Sequence, residues 1–250
     1  MPTPVFTQTD GSVDCAAIWG LWRTVRPCTQ WNMPFPAPEL RLDRDAVLWS
    51  AGEADRVGRP RLILLHGYAS DEADLFGISA YLPLEPVIAS LRAPIPEGPG
   101  FAWFSRFTNV SGDPLAANAN AAAGAVLDWI DEQDDVPTGL LGFSQGGAMA
   151  LQLMRLAPER FDFAVVLSGF AVQGAEDGDA VLAARRPPVF WGRGTHDDTI
   201  PSTSIARAEE WLPGHSSLDA RIYEGLGHGI SPLELGDISS FIRANLPRGR

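Results

Sequence analysis

The sequence predicts an α/β protein, a mainly parallel central sheet flanked by helices. Three observations carry this. Short runs that are apolar on both faces recur along the chain, as buried parallel strands require. Stretches of helical period lie between them. Helix starts are also marked by capping residues and by proline at the first helical position. Strands that alternate with helices in one chain give an α/β fold.

In chain order, residues 1–38 are rich in proline, hold Trp19, Trp22 and Trp31, and show no sustained period. They read as an N-terminal extension whose tryptophans cover apolar surface, with residues 39–250 as the domain. The expected strands are Ala46–Ser50, Leu62–Leu65, Val87–Leu91, Gly139–Phe143, Ala164–Ser168, Val189–Gly192 and Ala220–Tyr223. Asp113-Pro114 is the expected start of a helix with Leu115, Ala119, Ala122, Val126 and Ile130 as its core stripe. Ser231-Pro232-Leu233-Glu234 reads as a capping box that opens the last helix, with Leu235, Ile238 and Ile242 facing the core. The segment Gly169–Arg186 is too short for a large lid domain, so an open cleft is expected.

The chain has 250 residues and a net charge of −12, which argues against nucleic acid or anionic lipid as partners. It has no lysine, so its 19 cationic side chains are all arginine. This excludes chemistry that needs an active-site amine, such as a Schiff base or a phosphate-loop lysine. Cys15 and Cys28 are its two cysteines, too few for a disulfide framework or a four-ligand zinc site, and a cytoplasmic setting is expected. The apolar runs are too short to span a bilayer, and the first 20 residues do not read as a signal peptide.

Chemistry collects at four strand ends. Gly142-Phe143-Ser144-Gln145-Gly146 is a G-x-S-x-G pentapeptide between a strand and the strong helix former Ala148–Leu156. On such a turn the serine hydroxyl stands clear of the sheet, and the helix start offers its partial positive charge and the Gln145 N–H to an oxyanion. Serine needs a base, itself oriented by a carboxylate. His228, in a glycine-rich loop after the strand Ala220–Tyr223, is the candidate base, whereas His215 after Leu212-Pro213-Gly214 reads as a surface turn. Gly194-Thr195-His196-Asp197-Asp198-Thr199-Ile200-Pro201 offers two carboxylates at a strand end. A metal cluster of His196, Asp197 and Asp198 is the rival reading there, though adjacent residues do not converge easily on one ion. The order nucleophile, acid, histidine along the chain is that of α/β-hydrolases. In Leu64-Leu65-His66-Gly67-Tyr68, the Tyr68 N–H is the candidate second oxyanion donor, and His66 reads as a hydrogen bonder that shapes the loop.

Together, His66-Gly67-Tyr68 with Asp71, Gly142–Ala148, the segment Gly194–Pro201 and Gly227-His228 resemble the phospholipase/carboxylesterase family, the serine esterase group that includes the acyl-protein thioesterases. The likeness covers roughly residues 40–246. It implies an α/β-hydrolase fold without a large lid domain, with Ser144 as nucleophile and His228 as base. It also selects Asp197 as the acid, because the family reads G-x-x-D followed by an apolar-Pro pair, here Ile200-Pro201. Trp103 and Phe104 resemble a pair that lines the family's substrate cleft. Ser105 departs from the acidic residue that often follows that pair, and the extension at 1–38 is not a family requirement. The expected function is hydrolysis of carboxylic esters of small to medium acyl chains through an acyl-enzyme, on a small-molecule ester, without metal or organic cofactor and without stable membrane insertion. Thioester or lysophospholipid hydrolysis on the same residues is the alternative, and a non-catalytic binder on the same fold is the rival from another class.

Overall fold

The computed structural model describes residues 40–105 and 116–247. These fall in one compact unit, residues 39–250. The expectations that concern residues 1–38, the Asp113-Pro114 cap and Leu115 lie outside the described residues.

The chain opens with β1 (Leu48–Trp49), β2 (Arg61–Leu65), the short helix α1 (Glu72–Phe76) and β3 (Val87–Leu91). A hairpin of β4 (Ile95–Glu97) and β5 (Gly100–Ala102) follows, and then α2 (Ala116–Asp131), β6 (Thr138–Phe143) and α3 (Gln145–Leu156). The second half runs β7 (Phe163–Leu167), α4 (Asp179–Arg185), β8 (Pro188–Gly194), α5 (Ser202–His215), β9 (Ser217–Tyr223) and α6 (Pro232–Asn245). Seven strands form one sheet in the order β1-β3-β2-β6-β7-β8-β9, with β1 antiparallel to β3 and every other pair parallel.

Side-chain alternation along the central strands builds two cores. Ile63 and Leu65 face α2, α3 and α5, where Ala122, Val126, Leu153 and Leu212 bury. Leu62 and Leu64 face the opposite layer, where Leu75 of α1 and Ile238 and Ile242 of α6 pack. The stripe expected for α2 is buried at Ala119, Ala122, Val126 and Ile130. Ser231 caps α6 as the capping-box reading requires: its hydroxyl accepts from Glu234 N at 3.1 Å, and the Glu234 carboxylate accepts from Ser231 N at 3.4 Å.

Four elements differ from expectation. Residues 44–46, in part read as strand, form a single tight turn capped by the Asp43 carboxylate, so β1 is only two residues long. The β4–β5 hairpin is an addition; its three-residue strands carry no alternation to read. His215 is not in a surface turn but ends α5, where Nδ1–H donates to the Trp211 carbonyl at 2.7 Å and the two rings stack. The last strand starts three residues earlier than its apolar run, because β9 is an exposed edge that needs no apolar face. Between β7 and β8 the chain makes only the seven-residue α4, with no lid domain.

The strand register aligns the ends that carry the motifs. Leu65 pairs with Gly142, Phe143 with Leu167, Leu167 with Gly192, and Gly194 with Tyr223. The C-terminal ends of five strands therefore share one edge of the sheet, the edge at which parallel α/β sheets bind ligands.

Candidate active site

Ser144 sits where β6 turns into α3, with φ 55° and ψ −115°. A non-glycine residue held in such a conformation marks a backbone over-determined by its surroundings. The cause lies in its neighbours. A Cβ on Gly142 would come within 2.1 Å of the Gly146 carbonyl oxygen, and one on Gly146 within 1.9 Å of the Leu65 carbonyl oxygen. Only glycine lets strand, turn and helix cross this closely. The Ser144 N–H donates to the Leu167 carbonyl at 2.8 Å, which ties the turn to β7. Ala69 and Ser168, at the ends of the two neighbouring strand loops, share the positive φ.

His228, on the loop after β9, places Nε2 3.0 Å from Ser144 Oγ and Nδ1 2.8 Å from an Asp197 carboxylate oxygen. Its ring lies against Phe143, centroids 4.8 Å apart. The other Asp197 oxygen accepts the Thr199 and Ile200 N–H groups at 3.0 and 3.4 Å. The Asp197 side chain is only 1% exposed. Burial alone would raise its pKa, but hydrogen bonds from His228 and Ser168, the nearby His228 charge and the Thr199 N–H hold it below the ordinary carboxylate value. A buried carboxylate kept ionised in this way fixes the Nδ1–H tautomer and leaves Nε2 to accept the serine proton.

His196 and Asp198 are exposed, and among the described residues no three His, Cys, Asp or Glu side chains gather as the rival metal reading requires. His66 is wholly buried, with Nδ1–H donating to the Gly67 carbonyl at 2.7 Å and Nε2 accepting from Ala93 N at 3.0 Å. Burial lowers its pKa, and it serves as a neutral pin for its loop.

A cavity of about 410 Å³ opens over Ser144. Gly67, Tyr68 and Gln145 border it beside the serine, as the two expected oxyanion donors require. Gln145 starts α3, so its N–H has no acceptor within the helix. Its side chain has a second task that motif reading does not reveal. The Gln145 amide oxygen accepts from Trp103 N at 2.9 Å, and its NH₂ donates to the Phe104 carbonyl at 2.8 Å. Phe104 lines the cavity. Trp103 does not, which corrects the expectation for that residue. It is fully buried, with its indole N–H donating to the His66 carbonyl at 2.9 Å, and it supports the wall from behind. Phe143, Phe170, Ile200 and Pro201 complete an apolar side, while Ser70 and Asp74 form a polar one. Of these, Phe170 and Ile200 follow the ends of β7 and β8, so position after a strand end is the one signal that could have found them. The same signal applies to Ser168, which motif reading also misses.

Glu234, in the first turn of the helix after the His228 loop, is 1% exposed, and burial pushes its pKa up to about 7. An acid whose folded pKa exceeds its unfolded one favours the fold most when protonated. Its contribution is therefore full below the ordinary value of 4.5 and declines as pH rises through about 7. Glu234→Gln, which keeps the shape and the cap, should flatten the loss of melting temperature across this window. Parallel melting curves against pH for both proteins check this.

Residues 97–246 match the sequence model of a family described as Phospholipase/Carboxylesterase. Acyl-protein thioesterase 1 of Eremothecium gossypii is 28% identical over 204 residues, covering 74% of this chain and 87% of that protein. Among solved structures, a carboxylesterase from Mesorhizobium loti superposes with a TM-score of 0.66 at 22% identity, covering 82% of this chain and 99% of the other, a likeness of fold. Esterase PE8 superposes with a TM-score of 0.64 at 26% identity, covering 83% and 100%.

Proposed function

Since the chain belongs to the phospholipase/carboxylesterase family, we propose that it is a serine hydrolase that cleaves carboxylic esters of small to medium acyl chains through an acyl-enzyme. The observation that carries this reading is the continuous hydrogen-bonded line from Ser144 through His228 to Asp197. In acylation, His228 Nε2 takes the Ser144 proton as Oγ attacks the ester carbonyl. Asp197 stabilises the imidazolium that forms, and the Tyr68 and Gln145 N–H groups bind the oxyanion. The imidazolium then gives its proton to the departing alcohol. Water, deprotonated by His228, attacks the acyl-enzyme and releases the acid. The apolar side of the cavity suits the acyl chain, and its volume of about 410 Å³ supports a substrate of small to medium size.

Acyl thioesters are the second reading, favoured by the thioesterase named among the relatives. Esters and thioesters use the same parts, so the fold does not rank them. Turnover of p-nitrophenyl esters of increasing chain length beside matched acyl thioesters, on wild type and Ser144→Ala, tests both. Ser144-dependent hydrolysis of neither class would overturn the proposal.

The cysteine content supports a cytoplasmic setting, and among the described residues no helix is long and apolar enough to cross a membrane. The chemistry is assigned entirely within residues 39–250, so a chain starting at Met33 is expected to retain turnover on a short ester. A large fall in kcat for a shortened chain that remains folded by circular dichroism would show that the extension shapes the cleft.

A further inference from the structure

Among the described residues that line the cavity, the charged or chargeable side chains are His228 and a single carboxylate, Asp74, besides the Tyr68 phenol. Asp74 lies on α1, exposed at the polar side, where the Ser70 hydroxyl donates to it at 2.7 Å. The neighbouring charges are otherwise engaged. Asp71 caps α1 through the Ala73 N–H at 2.9 Å, and Glu72 turns inward. Arg92 donates to Glu72 through Nε at 2.7 Å and lies over the Phe101 ring. The one ion pair that α1 makes among the described residues is thus centred on Glu72, which leaves the Asp74 carboxylate to act on whatever occupies the cavity.

From this arrangement, we infer that Asp74 is a specificity-determining residue, selecting esters that carry an ammonium group over anionic esters of the same size. The inference rests on the hydrolase reading and names its substrate class. Because Asp74 lines the cavity itself, a substrate charge bound near it lies within a Debye length of its carboxylate, roughly 10 Å at 0.1 M salt. The field is that of an exposed carboxylate, so the effect is moderate: about tenfold in kcat/KM between cationic and anionic members of a matched set.

The experiment compares two sets. In one, p-nitrophenyl esters have acyl chains ending in tert-butyl, trimethylammonium or carboxylate. In the other, acetate esters have alcohols ending in the same three groups. The first two groups have nearly the same shape, so their ratio isolates charge. Wild type should prefer cation to neutral to anion in at least one set, and the preference should shrink as salt is raised. In Asp74→Asn, whose amide can still accept from Ser70, the ratios to the neutral ester should fall close to one; ratios cancel any general loss of activity. Asp71→Asn, which keeps the helix cap and does not line the cavity, should leave the ratios in place. The inference is overturned if wild type shows no order in either set, if Asp74→Asn retains the order, or if Asp71→Asn loses it equally. Failure of wild type to cleave even the neutral esters would instead defeat the hydrolase reading, and this inference with it.

Discussion

Replacing Ser144 with alanine should lower turnover of a short ester by about 10⁶-fold and abolish labelling by a fluorophosphonate, because nucleophile, base and acid act as one unit. The fold should tolerate the change. Residue 144 holds φ 55°, a conformation as costly for alanine as for serine, while the backbone bond to Leu167 is kept. Circular dichroism and melting of the variant therefore accompany the assay, so that lost chemistry is separated from lost structure. Labelling that persists unchanged in a folded Ser144→Ala protein would refute the assignment of the nucleophile.

The second large effect concerns two adjacent carboxylates. Asp197→Asn should reduce kcat by about 10⁴-fold, the loss seen when the corresponding acid of a serine protease is made an amide. The amide NH₂ can donate to Nδ1, which would force the proton to Nε2 and leave the imidazole unable to accept from Ser144. Asp198→Asn should change kcat little, since that side chain is exposed while Asp197 receives the His228, Thr199 and Ile200 N–H groups. Steady-state kinetics of the two variants decide it, and the reverse ranking would overturn the choice of acid.

The parts of the molecule legible in the sequence share a physical property. Strands β2, β3, β6, β7 and β8 are buried on both faces along most of their length, so an unbroken apolar run is all they require, and each is read directly. Ser144 and Asp197 are legible because each stands shortly after such a strand, beside glycine or an apolar-proline pair, and His228 because glycines flank it in the loop after β9. By contrast, α5 buries Ser204, Ala208 and Leu212, a stripe of mostly small or polar side chains with Pro213 near its end, and this gives little helical signal. Edge strand β9 likewise lacks an apolar face. Trp103 illustrates a different limit: a motif can identify a residue at the cleft without saying whether its ring faces the ligand or the core. Phe170 and Ile200 carry only the weak signal of standing after a strand end, and Asp74, on α1, reaches the cavity through the relative placement of separate elements, which no local pattern encodes.

The amide of Gln145 has a consequence for how such an enzyme can diversify. One residue contributes a backbone N–H beside the nucleophile and, through its side chain, clamps both Trp103 N and the Phe104 carbonyl. Heritable change at this position would be pleiotropic, disturbing the Phe104 wall and the catalytic turn at once. The Thr199–Pro201 and Phe170 walls have no such tie to the Gln145 side chain, so variation that retunes acyl preference while sparing rate should accumulate there first.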